Sequence, residues 1–239
     1  MKHIPNFITS LNLASGFVAI VFAANGELVT ASWLILAAMI FDFLDGLSAR
    51  LLKSYSEIGK ELDSLADVVS FGVAPAFIIY QLIANSLSGS LPLFTNGLVI
   101  KALIIQLIPV IMPVCAGLRL AKFNTDTSQA TSFRGLPTPA NALAVISFII
   151  ADHYTGSTIY DWFTGSPAAL IIITVILSLL MVSRLPLLSL KFANFKFSGN
   201  EGRFILIAMV LISLIVLGPG AAPLIIPYYI LASFLSLLF

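Results

Sequence analysis

Cysteine is almost missing from this 239-residue chain, with Cys115 standing alone. A single thiol cannot close an intramolecular disulfide, so no disulfide scaffold and no oxidising compartment is implied. Its mid-helix surroundings suit a small packing residue. Charge is scarce as well: Asp, Glu, Lys and Arg make up 10% of the residues, and the formal net charge is +1. Such a balance gives no electrostatic footprint for nucleic acid. Histidine occurs twice, as His3 and His153, at positions unsuited to a shared metal site. Alternating polar and apolar strand patterns are missing, which argues against a β-barrel. No soluble domain, long linker, low-complexity stretch or internal repeat interrupts the chain.

What fills the sequence is hydrocarbon. Apolar residues account for 59% of the chain, and the mean hydropathy is +1.05. A run of about 18 apolar residues suffices to cross a bilayer as a helix. That criterion predicts an all-α, polytopic membrane bundle of about eight helices, near 9–25, 29–52, 61–84, 99–121, 138–153, 167–184, 203–218 and 222–238. The chain reads as one domain over 1–239, with a core near 4–185 and an additional C-terminal helix pair near 203–238. Its first apolar segment lacks an A-x-A-like cleavage site and reads as a retained helix. Eight spans would sort eleven of the twelve Lys and Arg residues to the side of the N-terminus, leaving Lys101 opposite. By the positive-inside bias that side is the cytoplasm, and both termini lie there. His153 then falls on the outer face, and Trp33 and Trp162 read as interfacial belt residues. Arg184, Lys191, Lys196 and Arg203 read as headgroup and orientation charges.

Against this background, the stretch Phe41–Asp67 holds six of the eleven acids. Asp42 and Asp45 are spaced i, i+3, and Asp63 and Asp67 are spaced i, i+4, so each pair shares a helix face. One pair closes the second expected span and the other opens the third, around the short basic loop Lys53–Glu57. An antiparallel hairpin there brings all four carboxylates together. Four clustered negative charges in a poorly solvated bundle repel strongly, and a divalent cation removes the conflict. Oxygen-only ligands favour Mg²⁺ or Mn²⁺ over zinc. Pairing of the acids with Arg50, Lys53 and Lys60 is the competing structural explanation. It accounts for one carboxylate more readily than for four on two facing stripes. Glu57 and Glu61 read as solvated loop or cap charges. A divalent-cation transporter is a further possibility, although such sites usually lie near the bilayer midplane.

From Asp42 the chain reads D-x2-D-G-x2-A-R-x8-G-x3-D-x3-D, with Gly46, Ala49, Arg50 and Gly59 at the other fixed positions. At about 6% usage per residue type, a chance match is on the order of 10⁻⁸. The pattern resembles that of the CDP-alcohol phosphatidyltransferase family, without departure. The resemblance implies two divalent ions, Mg²⁺ or Mn²⁺, held by Asp42, Asp45, Asp63 and Asp67 on the diphosphate of a CDP-linked lipid. It implies Asp67 as the general base for the acceptor hydroxyl, with CMP as leaving group. Gly46, Ala49 and Gly59 would make room for the nucleotide, and Arg50 offers a fork of donors suited to its diphosphate.

The motif is common to enzymes with different acceptors. Flanking segments, Ile4–Gly16, Asp67–Ala76, Gly117–Asn124 and Phe133–Ala142, resemble the members of that family that make phosphatidylserine. The implied reaction is transfer of the phosphatidyl group from CDP-diacylglycerol to L-serine in a prokaryotic inner membrane, with the active site facing the cytoplasm. A homodimer is also implied. Glycerol 3-phosphate or an inositol phosphate is the alternative acceptor. Asn6, Thr9 and Asn12, spaced by three, line a face toward the cytidine or cap the first helix. Arg119, Asn124, Arg134 and Ser70 are the candidates for binding acceptor or phosphate. Lys122 suits interfacial anchoring, and Gly72 and Pro75 suit shaping of the cavity, with Pro75 expected to kink the third span.

Overall fold

The computed structural model describes residues 3–87, 99–125, 133–156, 158–188 and 199–236. Lys2, Lys191 and Lys196 lie outside the described residues. The helices are α1 (Ile4–Ala24), α2 (Leu28–Leu51), α3 (Glu57–Asp67), α4 (Ala74–Ser86), α5 (Val99–Leu107), α6 (Ile111–Thr125), α7 (Thr138–Thr155), α8 (Thr158–Thr164), α9 (Pro167–Val182), α10 (Glu201–Leu217) and α11 (Ile225–Leu235). One two-residue antiparallel ladder, β1 (Phe133–Arg134) with β2 (Pro186–Leu187), was not expected. The fold class is all-helical otherwise.

Among the described residues, five stretches are long and apolar enough to cross a membrane: Ile4–Ala24, Leu28–Leu51, Glu57–Ser86, Ala102–Thr125 and Glu201–Leu235. The last is not one rod. A Cβ on Gly202 would stand 2.8 Å from Ser236 Cβ and 3.2 Å from Ala232 O, so α10 and α11 fold back antiparallel. A 3₁₀ turn, Gly218–Leu224, joins them, entered by Gly218 at φ +57°. That conformation suits glycine because a Cβ there is strained. The sequence-based count of eight spans treats these two arms, α7 and the shorter apolar α9 as separate crossings.

Small residues let the first helices close on each other. Ala19, Ala23, Ala31 and Ala38 are buried, with Ile35 filling the space between them. Close backbone approach replaces the hydrophobic effect as the packing force where the surroundings are themselves apolar. Phe17, Phe22, Trp33, Ile40 and Phe43 point outward, as lipid-facing positions should.

The third span departs from expectation in an informative way. Its helix does not simply kink at Pro75. The chain widens into a π-helical turn, Val68–Val73, before α4 begins with Pro75 in its first turn. Proline has no N–H to give to the carbonyl four residues back. That carbonyl, Phe71 O, instead accepts from Asn141 Nδ2 of α7 at 3.2 Å. The π turn therefore ties the helix carrying Asp63 and Asp67 to α7. The fourth span is likewise broken, by a 3₁₀ turn at Ile108–Val110 around Pro109. The short α8 occupies part of what the sequence suggested was a polar connection.

Candidate active site

Ser56 starts α3 by accepting from Gly59 N at 3.0 Å, an N-cap of the usual kind. The cap fixes where the amphipathic α3 begins, and so which way Asp63 and Asp67 face. Ligand oxygens of Asp42, Asp63 and Asp67 lie within 4.8 Å of one another. Asp45 is not part of that triad. It is buried one turn along α2 and lines the neighbouring cleft with Asp63. The four acids are thus divided three and one.

Two clefts meet at this point. The larger, about 470 Å³, is lined by Asn6, Thr9, Asp45, Gly46, Ala49, Arg50, Gly59 and Asp63, among others. The smaller, about 280 Å³, is lined by Asp42, Asp63, Asp67, Arg119, Asn124 and Thr138, between Pro137 and Pro139 on one side and Leu120 and Phe123 on the other. Lys60, Asp63 and Phe123 belong to both walls. Asp63 stands at the junction.

The cleft walls explain two glycines. A Cβ on Gly46 would meet nothing within 4 Å, so this glycine opens onto free space in the larger cleft. A Cβ on Gly59 would meet Asn6 Oδ1 at 2.9 Å, so that glycine lets α3 approach α1. Arg50 lines the same cleft, its Nε donating to Gly46 O at 3.0 Å and the rest of its fork exposed.

In the smaller cleft, Thr138 Oγ1 donates to Asp67 Oδ2 at 3.3 Å, and both residues are buried. Asp67 Oδ1, Asp63 Oδ1 and Asp45 Oδ2 are buried without a hydrogen-bond partner. Buried carboxylate oxygens left unpaired in this way are costly. Lys60, on the walls of both clefts, donates from Nζ to Asn124 O at 3.1 Å. An oxygen-only donor set with orphaned lone pairs suits a hard divalent cation, and Asp42, Asp63 and Asp67 could hold one. Arg119 lines the same cleft as Asp67. Its Nε is buried and unpartnered.

Two expected site residues are placed elsewhere. Asn12 is fully buried, and neither its Oδ1 nor its Nδ2 has a partner. A spacing of three turns about 300° around a helix, so two such steps carry Asn12 about 120° away from Asn6. Asn6 and Thr9 face the larger cleft and Asn12 faces the bundle interior. Ser70 is also buried, and its Oγ donates to Asn12 O at 3.0 Å. Its position in the π turn aims it at α1, away from the smaller cleft. Gly72 packs against α6, where a Cβ would stand 3.1 Å from Ala116 Cβ. Arg134 lies on β1, close in sequence to Pro137–Pro139, and its side chain is outside the described residues. Asn124 reaches the smaller cleft but donates through Nδ2 to Ser64 Oγ at 2.9 Å.

The contact of Thr138 with Asp67 and that of Asn141 with the π turn were not expected. A buried threonine at a helix start carries no distinguishing signal in one sequence. Asn141 could have been found as a polar residue within an apolar helix, opposite a proline that frees a carbonyl.

A model of the CDP-alcohol phosphatidyltransferase family matches residues 2–193. A CDP-diacylglycerol–serine O-phosphatidyltransferase of Helicobacter pylori is 33% identical over 218 residues, covering 90% of this chain and 82% of the relative. The Bacillus subtilis enzyme of the same description is 35% identical over 203 residues, covering 84% and 96%. An archaetidylserine synthase of Methanothermobacter thermautotrophicus is 35% identical over 154 residues, covering 64% and 60%.

Proposed function

The chain belongs to the CDP-alcohol phosphatidyltransferase family, and from that membership we propose that it transfers the phosphatidyl group of CDP-diacylglycerol to L-serine, giving phosphatidylserine and CMP. The observation that carries the reading is the meeting of a large nucleotide-sized cleft and a smaller cleft, which holds the acidic triad and Arg119, at Asp63. The relatives described as serine transferases support serine as the acceptor. The archaeal relative, described as an archaetidylserine synthase, supports the same headgroup on a different lipid.

The residues divide the work. Asn6 and Thr9 border the nucleotide, Gly46, Ala49 and Gly59 give it room, and Arg50 pairs with its diphosphate. Divalent ions, Mg²⁺ or Mn²⁺ and two by the family pattern, would be held by Asp42, Asp63 and Asp67 with Asp45 alongside, and would neutralise charge on the phosphoryl groups. Thr138 engages Asp67 Oδ2 and leaves Oδ1 free toward the cleft. Asp67 accepts the serine hydroxyl proton as that oxygen bonds to the lipid-side phosphorus. The bond from this phosphorus to the bridging oxygen breaks, and CMP departs with that electron pair. A base so placed contributes about 10²–10⁴ in rate. Arg119 pairs with the serine carboxylate. The tails enter sideways among outward-facing apolar side chains.

In the membrane, the charge sorting argues for eight spans with both termini and the active site on the cytoplasmic side of a prokaryotic inner membrane. A homodimer is carried over from the family resemblance. The deciding experiment is transfer of radiolabelled serine by purified protein. Serine-dependent CMP release is expected. CMP release driven only by glycerol 3-phosphate or an inositol phosphate would move the assignment to that acceptor. Metal flux without CMP production would favour transport.

A further inference from the structure

The helical hairpin α10–α11 begins at Glu201, beyond the residues that match the family. It nevertheless holds, through Leu188, a chain of backbone contacts that leads to the smaller cleft. Tyr229 Oη donates to Leu188 O at 3.0 Å, and Leu188 N donates to Ser233 Oγ at 3.0 Å. Both backbone groups of Leu188 are therefore held by one face of α11. Leu188 follows directly on β2, which pairs with β1 in the register Phe133 with Leu187 and Arg134 with Pro186.

The next residues of the β1 segment are held just as tightly. Gly135 N donates to Leu185 O and Leu136 N to Leu180 O, each at 2.9 Å. Gly135 has φ +76°, and a Cβ there would lie 2.6 Å from Met181 O and 2.8 Å from Ser183 O. No other residue type fits that turn. Pro137, Thr138 and Pro139 come next, and they form one wall of the smaller cleft.

We propose that Tyr229 and Ser233 are positioning residues for the acceptor: through Leu188 and the β1–β2 ladder they clamp the wall that carries Thr138. The motif shared across the family holds the ions and the nucleotide, so it does not distinguish acceptors. An element outside the family match that sets the acceptor wall can do so. This inference rests on the proposed function for which substrate occupies the cleft, but the clamp itself is independent of it.

The test uses full-length purified protein as Tyr229→Phe, Ser233→Ala and the double variant, with Tyr228→Phe as a control on the same helix. Loss of one hydrogen bond corresponds to a factor of about five. The serine KM should rise about fivefold in each single variant and further in the double, while the KM for CDP-diacylglycerol stays put. Amide hydrogen exchange at Gly135 and Leu136 should quicken about tenfold in the double variant. Unchanged exchange there overturns the clamp. A parallel rise in both KM values together with a general loss of thermal stability shows a merely structural hairpin and overturns it as well. Wild-type protein without serine-dependent CMP release would sink the proposed acceptor, and the exchange measurement would still decide the clamp.

Discussion

Replacing Asp63 by Asn removes the one acid that stands at the junction of both clefts. Its oxygens lie within 4.8 Å of those of Asp42 and Asp67. At that separation and an effective dielectric constant of about 20, two unit charges repel by about 3.5 kcal/mol. Asp63→Asn relieves two such pairs, but Asp63 is only half-buried and solvent screens much of the gross figure. A net gain on the order of 1–2 kcal/mol is expected without divalent ions. For a chain of this length each kcal/mol moves the melting temperature by about 2–4 °C. In EDTA, the variant should therefore melt about 2–8 °C above wild type. Adding an ion at a hundred times its Kd stabilises a binding-competent protein by about 2.7 kcal/mol. Wild type should then gain about 5–10 °C with saturating Mn²⁺ or Mg²⁺, and Asp63→Asn should gain little. The order of the two proteins reverses between the two buffers. Thermal unfolding in detergent, followed by tryptophan or dye fluorescence, reads both numbers. Wild-type stability indifferent to divalent ions, with Asp63→Asn no firmer in EDTA, would refute the view that these acids form a cation cradle.

Asp67→Asn should abolish transfer while CDP-lipid binding largely survives, measured by ligand-induced stabilisation; Asp42→Asn should lose the metal response too, and equal residual activity in both would contradict that division. Gly46→Ala places a methyl into open cleft space, so the KM for CDP-diacylglycerol should rise without loss of thermal stability. Gly59→Ala puts a methyl 2.9 Å from Asn6 Oδ1, a side-chain end that can swing aside, so the KM for CDP-diacylglycerol should rise with only a small fall in melting temperature. Asn141→Leu leaves Phe71 O without its donor and should cost about 1–3 kcal/mol, visible as a lower melting temperature. Arg119→Lys keeps the charge but loses the planar fork; the serine KM should rise about tenfold or more with the CDP-lipid KM unchanged, and equal changes in both would remove Arg119 from the acceptor.

How far the sequence could be read depended on the kind of information each feature carries. The spacing of Asp42, Asp45, Asp63 and Asp67 was legible because helical periodicity is local, and a hairpin is the shortest way to join two helices. The larger cleft was legible for the same reason: Asn6, Thr9, Gly46, Ala49, Arg50 and Gly59 all line it. Asn12 shows where that reasoning stops, since a stripe of three-residue steps drifts around the helix and leaves the cleft. Ser70 shows a second limit. A π turn rotates everything after Asp67 by an amount that hydropathy does not encode, and the serine faces α1 instead of the acceptor.

By itself, the sequence determined an apolar, helical chain and the presence of one acidic hairpin, because hydrophobic period and charge spacing are properties of neighbours. Tertiary structure alone decided that three of the four acids form the tight group and that Thr138 meets Asp67. It alone revealed that Phe71 O, freed by Pro75, accepts from Asn141 of α7 and that α11 holds both backbone groups of Leu188. Those contacts join positions about 40 to 70 residues apart. Their existence depends on the angles at which helices cross, and those angles are set by the packing of the whole bundle.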